Sequence, residues 1–147
     1  MIGSLRGNVF SEKEFWKIIE MLDWDFVGDD DNVVKIATLY LSKKSEDFIR
    51  KFHQMLVQKL RSLQICEKFD TTSKTPESFL FTRCAAIATG KKYYNSVLSN
   101  PIKIRENAEF SALTNLCNNA MKLKSGQDFT KMSAFKYYSG DPSLNFG

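Results

Sequence analysis

The stretch SEDFIRKFHQMLVQKLRSLQIC, residues 45–66, decides the fold, because its apolar side chains recur at intervals of three and four residues. Acidic Glu46 and Asp47 stand in its first turn, where the helix dipole favours negative charge. The spacing predicts a helix of about five to six turns that begins near Ser45. It is the longest predicted element and the spine of a helical bundle. Its apolar positions are Phe48, Phe52, Met55, Leu56, Leu60, Leu63 and Cys66.

Two helices are predicted before this spine. Ser11 and Glu14 have the spacing of a capping box, and Phe10 and Phe15 occupy the two positions of a hydrophobic staple. The first helix should therefore begin at Ser11. A second helix is predicted over residues 31–42, with an aspartate run at its positive end.

Three further helices are predicted after the spine. Pro76 is suited to the first turn of a helix that ends at Gly90, a C′ residue expected in the left-handed region. The stretch KYYNSVLSNP predicts a short helix that stops before Pro101. The last helix is predicted from about Ala108 to Lys124, with apolar residues on one face.

These elements predict an all-α protein with one compact bundle of about six helices. No alternation of apolar and polar residues extends over more than four positions, so no strand is predicted. Residues 1–126 are expected to form the helical domain. The tail, residues 127–147, lacks a clean period and is expected to be irregular, either packed on the bundle or partly disordered.

The net charge of +4 conceals an uneven distribution. Residues 1–31 carry 3 basic and 8 acidic side chains, whereas residues 32–105 carry 14 basic and 5 acidic ones. This division suits intramolecular attraction, or separate acidic and basic surfaces for partners. Nucleic-acid binding is not favoured, because the basic residues are scattered among carboxylates and no nucleic-acid-binding motif stands out.

The composition favours a cytoplasmic protein that does not enter a membrane. The sequence has no run of 18 apolar residues, and the stretch MIGSLRGNVF lacks the pattern of a signal peptide. The three cysteines are far apart and form no C-x-x-C pair, so reduced, buried thiols are expected.

Two short stretches resemble ligand-binding loops but fail at defining positions. The stretch CAAIATGKKYY has Ala85 and Lys92 where a phosphate loop needs glycine and a hydroxyl residue. The stretch DWDFVG begins like a calcium loop, but Val27 and Val34 replace two oxygen ligands. No cofactor and no metal site are therefore predicted.

The single histidine and the central cysteine are not favoured as catalytic groups. His53 stands mid-helix beside the apolar stripe, which predicts a partly buried side chain hydrogen-bonded to a neighbour. Apolar residues occupy the positions one helical turn from Cys84, so an inert core thiol is expected.

The candidate binding residues are Trp24, Asp25, Asp29, Asp30 and Arg83. Arg83 lies between apolar residues at i−4 and i+4, so its guanidinium needs a buried partner. That partner is either a carboxylate, for example in the Asp-rich turn, or a bound anion or protein. Trp24 either fills the core or forms an exposed contact anchor.

The motifs FW-x-x-I, DW-x-x-x-GDD, LS-x-x-S, F-x-x-x-R, I-x-x-G and A-x-x-x-K-x-G occur in this order along the chain. Together they resemble a bacterial family known as domain of unknown function 4240. The resemblance covers about residues 10–126, and a Gly-Cys-x-Asp-Asp-like stretch common in such proteins is replaced here by TTSKTPES. If the paired acids have a catalytic or metal role in relatives, the resemblance implies that this chain has lost it. The matching motifs are FW-x-x-I at Phe15, Trp16 and Ile19, DW-x-x-x-GDD from Asp23 to Asp30, LS-x-x-S from Leu41 to Ser45, F-x-x-x-R at Phe79 and Arg83, I-x-x-G at Ile87 and Gly90, Tyr94, and A-x-x-x-K-x-G from Ala120 to Gly126.

The sequence favours a non-catalytic protein-interaction module, of the class of bacterial immunity or regulatory proteins that bind and block one protein partner. The segregated charge supports this hypothesis, since it suits electrostatic steering of a charged partner. The alternative is a small-ligand binder or enzyme with a cleft near Arg83 and the turn Asp23–Asp31. A third hypothesis, nucleic-acid binding through residues 32–105, requires the basic side chains to lie on one face.

Overall fold

The computed structural model describes residues 9–70, 75–104 and 108–126, and these residues form helices and turns without a β-strand. The predicted all-α class is confirmed. In this described part of the chain, four short 3-10 segments join or extend the helices: Trp24–Phe26, Leu63–Phe69, Pro101–Lys103 and Ser111–Asn115. Within the described ranges the α-helices are α1 (Glu12–Ile19), α2 (Asp30–Val33), α3 (Lys35–Ser42), α4 (Glu46–Ser62), α5 (Pro76–Ala88), α6 (Lys91–Ser99) and α7 (Leu116–Ser125).

The described residues divide into two compact units. The first unit contains residues 9–55 and 115–126, and the second contains residues 56–104 and 108–114. A single domain ending at residue 126 stays a prediction. The tail that was expected to be irregular lies outside the described residues, as does its packing.

The first helix begins as its sequence predicts. The side chain of Ser11 accepts a hydrogen bond from the Glu14 amide at 3.3 Å, which caps α1. Phe15 stacks on Phe52 of α4 with ring centroids 4.8 Å apart, and Phe10 meets the same ring edge-on at 6.4 Å. The aromatic side chains around the start of α1 therefore join this helix to the first half of the spine.

The helix predicted over residues 31–42 is in fact two helices. α2 ends at Val33 and α3 begins at Lys35, with Val34 as the joint at φ −92° and ψ −4°. Two consecutive β-branched residues disfavour an uninterrupted helix, and Val33 and Val34 are both buried. α3 packs against α1 and α7.

The spine is α-helical for 17 residues and then changes to 3-10 geometry. α4 ends at Ser62, and the predicted helical stretch continues as the 3-10 segment Leu63–Phe69. Gly90 separates α5 from α6 with φ +121° and ψ 170°, which only glycine adopts easily. The ψ of Gly90 therefore lies outside the left-handed helical region that was expected, although its positive φ confirms the need for glycine.

The last predicted helix begins later than expected. The amide of Phe110 donates to the Phe81 carbonyl at 3.0 Å, and residues 108–110 are not helical. A 3-10 segment follows, and α7 begins only at Leu116. Gly126 ends α7 in the left-handed conformation, at φ +74°.

No helix in the described ranges has both the length and the apolar character needed to span a membrane.

Candidate functional site

The acidic turn, defined as residues Asp23–Asp31, joins α1 to α2 and lies in the first unit. Its first half is the 3-10 segment Trp24–Phe26. The Asp23 carboxylate caps this segment by accepting a hydrogen bond from the Asp25 amide at 3.1 Å. The Asp23 amide in turn donates to the Val33 carbonyl at 2.9 Å, which closes the base of the turn.

The second half of the acidic turn is fixed by Gly28 and Asp29. Gly28 has φ +96°, a conformation that favours glycine and reverses the chain. The Asp29 amide donates to the Phe26 carbonyl at 2.8 Å. The Asp29 carboxylate caps α2 by accepting from the amide and the side chain of Asn32, at 3.4 and 2.6 Å. Asp29, a candidate binding residue, therefore has a structural role in ordering the turn.

Three large apolar side chains project from this ordered turn. Trp24 is 43% exposed, Phe26 46% and Val27 77%. The structure therefore places Trp24 at the surface, as an exposed contact anchor requires, and not in the core. Asp25 and Asp30 are exposed beside these side chains. Neither carboxylate is the capping group of its element, because Asp23 and Asp29 fill those positions.

Phe26 and Val27 were not among the residues predicted for the site. The signal in the sequence was that both lie in a short turn rich in aspartate and glycine, and such turns run over the surface. Within the described ranges, no three histidine, cysteine, aspartate or glutamate side chains are grouped so that they could hold a metal ion. The surface of the acidic turn thus consists of carboxylates together with exposed apolar side chains.

Arg83 lies in the second unit, on the buried face of α5 as predicted. It is 1% exposed, and its Nη1 donates to the main-chain carbonyl of Leu60 at 2.9 Å. The guanidinium also stands 4.6 Å from the ring centroid of Phe79. Burial lowers the pKa of Arg83 to about 10, so the side chain remains charged at neutral pH.

Tyr94 of α6 makes a similar contact with α4, and its acceptor lies one residue before Leu60. Its hydroxyl donates to the Lys59 carbonyl at 3.3 Å, and Lys59 Nζ lies 5.2 Å from the centre of the tyrosine ring. Carbonyls of consecutive residues in the last turn of α4 thus receive donors from α5 and α6. A carbonyl oxygen has two lone pairs, so it can accept such a side-chain donor as well as a main-chain amide.

Arg83 therefore has a structural role, because its hydrogen bond holds the end of α4 where the helix changes to 3-10 geometry. The salt bridge to the acidic turn and the shared cleft stay predictions, since Arg83 belongs to the second unit and the turn to the first.

These motif residues thus lie in two parts of the structure. The DW-x-x-x-GDD motif forms the acidic turn, while Phe79, Arg83 and Tyr94 secure the end of α4. A family model described as protein of unknown function (DUF4240) matches residues 10–131. The chain belongs to the DUF4240 family. Neither a curated protein nor a solved structure gives a significant match.

The DUF4240 match includes both the acidic turn and the contacts of Arg83. The family description names no activity.

The remaining nucleophilic and basic candidates of this DUF4240 chain are enclosed. His53 is 1% exposed, more deeply buried than predicted, and burial lowers its pKa to about 3. Burial raises the pKa of the Cys84 thiol to about 12 and also raises the pKa of Cys66 and Cys117. All three cysteines are free thiols and buried, as predicted, and their inertness stays a prediction.

Proposed function

We propose that this DUF4240 chain is a non-catalytic interaction module that binds one basic protein partner through the acidic turn. The observation that carries the proposal is the exposure of Trp24, Phe26 and Val27 on an ordered turn that contains five aspartates and no basic residue. Tryptophan in such a position is enriched among the residues that supply most of the energy of protein interfaces.

The turn is ordered before binding, which favours affinity. The Asp23 and Asp29 caps and the backbone bond from Asp23 to Val33 hold the apolar side chains on a fixed backbone. Binding therefore costs less conformational entropy than it would for a flexible loop. The structure of the turn supports a surface for docking a folded protein.

The charge of the turn indicates the chemistry of the partner. Five carboxylates attract a basic surface over long range and accelerate its association, particularly at low salt. The partner should also offer an apolar pocket for the indole of Trp24. We propose more specifically that the chain has a bacterial immunity or regulatory role, in which it blocks the partner that it binds.

The competing proposal, a ligand cleft centred on Arg83, has weaker support. Arg83 is 1% exposed and directs Nη1 to the Leu60 carbonyl, so a ligand would have to displace an internal bond to reach that atom.

The proposal is tested by capture from the native cell with a tagged wild-type chain and the double variant Asp25→Lys/Asp30→Lys. These two aspartates are exposed, and their substitution leaves the capping residues Asp23 and Asp29 unchanged. The matched control is Glu20→Lys/Glu109→Lys, which makes the same charge change at exposed sites outside the turn. Circular dichroism and thermal unfolding establish that each variant is folded.

We expect one protein, basic in composition, to be captured by the wild type and the control and to be lost with the turn variant. Capture that is equal for all three chains would contradict the acidic turn as the binding surface. Failure of the wild type to capture any foreign protein would contradict the proposed basic partner.

A further inference from the structure

The second unit presents an exposed surface with apolar side chains and the opposite charge. We call it the basic surface and define it by the 3-10 segments Leu63–Phe69 and Pro101–Lys103 together with α6. Ile65 is 53% exposed on the first segment and Ile102 65% on the second, while Leu98 of α6 is 38% exposed. Large aliphatic groups are therefore accessible on all three elements.

These elements pack on one another. The two 3-10 segments are in contact, and Pro101–Lys103 also packs against α6. The hydroxyl of Tyr93 in α6 donates to the Lys103 carbonyl at 2.8 Å, which ties the second segment to the helix. The apolar side chains are thus carried by a fixed backbone, as in the acidic turn.

The basic surface is positively charged. Its exposed ionisable side chains are four lysines and one glutamate: Lys68, Lys91, Lys92, Lys103 and Glu67. The acidic turn combines aspartates with exposed aromatic and aliphatic groups, and the basic surface combines lysines with exposed aliphatic groups. Each surface therefore has the complementary charge and an apolar component that the other can bury.

We infer that the acidic turn of one copy binds the basic surface of a second copy of this chain. The inference rests on the proposed function in one respect, the assignment of the acidic turn as a binding surface. It adds a mode of regulation, because a turn occupied by a second copy is closed to the basic partner, and the two compete.

The contact joins two different surfaces, so it is heterologous. In a pair of copies, one copy keeps its basic surface free and the other keeps its acidic turn free. Association therefore continues into chains or closes into a ring. The interaction strengthens with protein concentration and weakens with added salt, because both surfaces are charged and exposed.

The test is sedimentation velocity of the full chain over a range of concentrations at low and high salt. We expect the average mass at low salt to rise with concentration above the 16.9 kDa of one chain, and to return towards that value at high salt. Asp25→Lys/Asp30→Lys and Lys68→Glu/Lys103→Glu should each weaken self-association at least about tenfold. The control Glu20→Lys/Glu109→Lys should associate like the wild type.

Mixing the two surface variants gives the decisive observation. The turn variant keeps the basic surface, and the Lys68→Glu/Lys103→Glu variant keeps the acidic turn, so an equimolar mixture should form a pair and stop at that size. A wild-type chain that stays at one-chain mass at every concentration, or a mixture that does not pair, would overturn the inference.

The same variants separate this inference from the proposed function. Lys68→Glu/Lys103→Glu retains the acidic turn and should capture the basic partner at least as well as the wild type does. Capture without self-association would defeat only the inference. Self-association without any captured protein would defeat the proposed foreign partner and leave the second copy as the occupant of the turn.

Discussion

The guanidinium of Arg83 donates to the main-chain carbonyl of Leu60 at 2.9 Å, in a site where the arginine is 1% exposed. This arginine, a candidate binding residue in the sequence, is thus joined to the end of α4, the longest helix among the described residues. Tyr94 contacts the preceding carbonyl, that of Lys59, in the same way. The F-x-x-x-R motif and the tyrosine that follows it therefore serve the fold of the second unit.

The Arg83 contact should be measurable in stability. We expect Arg83→Ala to lower the free energy of unfolding by about 3 kcal/mol, because it removes a buried hydrogen bond from a charged group and leaves a cavity. Tyr94→Phe, which keeps the ring and removes only the hydroxyl, should cost about 1 kcal/mol. Urea unfolding followed by circular dichroism measures both. A change below about 0.5 kcal/mol for Arg83→Ala would contradict the structural role.

The buried His53 should make stability depend on pH. Its pKa is lowered to about 3 in the folded chain, whereas an unfolded histidine has a pKa of about 6.5. Between these values the unfolded chain binds the extra proton, so stability falls as the pH falls below about 6.5, by about 2 kcal/mol at a pH of about 5.

His53→Gln removes this dependence, since His53 is the only histidine. The variant and the wild type should differ in the slope of unfolding free energy against pH between about 6.5 and 5. Parallel slopes would show that His53 is protonated as readily in the folded chain as in the unfolded one.

The three thiols should be protected from alkylation. Cys66, Cys84 and Cys117 are buried and their pKa values are raised, so both access and thiolate formation are suppressed. Iodoacetamide at mildly alkaline pH should leave the folded chain unmodified and label all three cysteines in denaturant, as read by mass spectrometry. Rapid labelling of Cys84 in the folded chain would contradict the inert assignment.

The environment of Trp24 can be read by fluorescence, because the chain has two tryptophans and the other, Trp16, is 4% exposed. In Trp16→Phe, neutral acrylamide should quench the remaining emission strongly. Relative to their effects on free N-acetyltryptophanamide, caesium should quench more strongly and iodide more weakly, since the aspartates attract cations and repel anions. In Trp24→Phe, the emission of Trp16 should resist all three. A caesium-to-iodide quenching ratio in Trp16→Phe equal to that of free N-acetyltryptophanamide would contradict the negative field around Trp24.

Local sequence signals predicted the start of α1 well. The Ser11 cap is present as expected, because it depends only on neighbouring residues. The changes at Val34 and before Leu116 were missed. An apolar period does not distinguish an α-helix from a 3-10 segment or reveal a joint, and the Phe110 amide is committed to a residue distant in sequence.

The candidate site was predictable in part. The sequence placed Trp24 in an acidic turn, but a tryptophan between two aspartates suits a surface or a core equally well, and only packing decides. The need of Arg83 for a buried partner was evident from its apolar neighbours. The Leu60 carbonyl was not, because a main-chain acceptor is present at every residue and leaves no mark in the sequence.

Trp24 is the proposed anchor of the acidic turn. The direct measurement is calorimetric titration of the captured partner into the wild type, Trp24→Ala and the control Leu123→Ala, whose side chain is 59% exposed on α7. Trp24→Ala should weaken binding by about 2 kcal/mol, or roughly 30-fold in Kd, and Leu123→Ala should leave it within about twofold. A Kd for Trp24→Ala equal to that of the wild type would contradict the acidic turn as the binding surface.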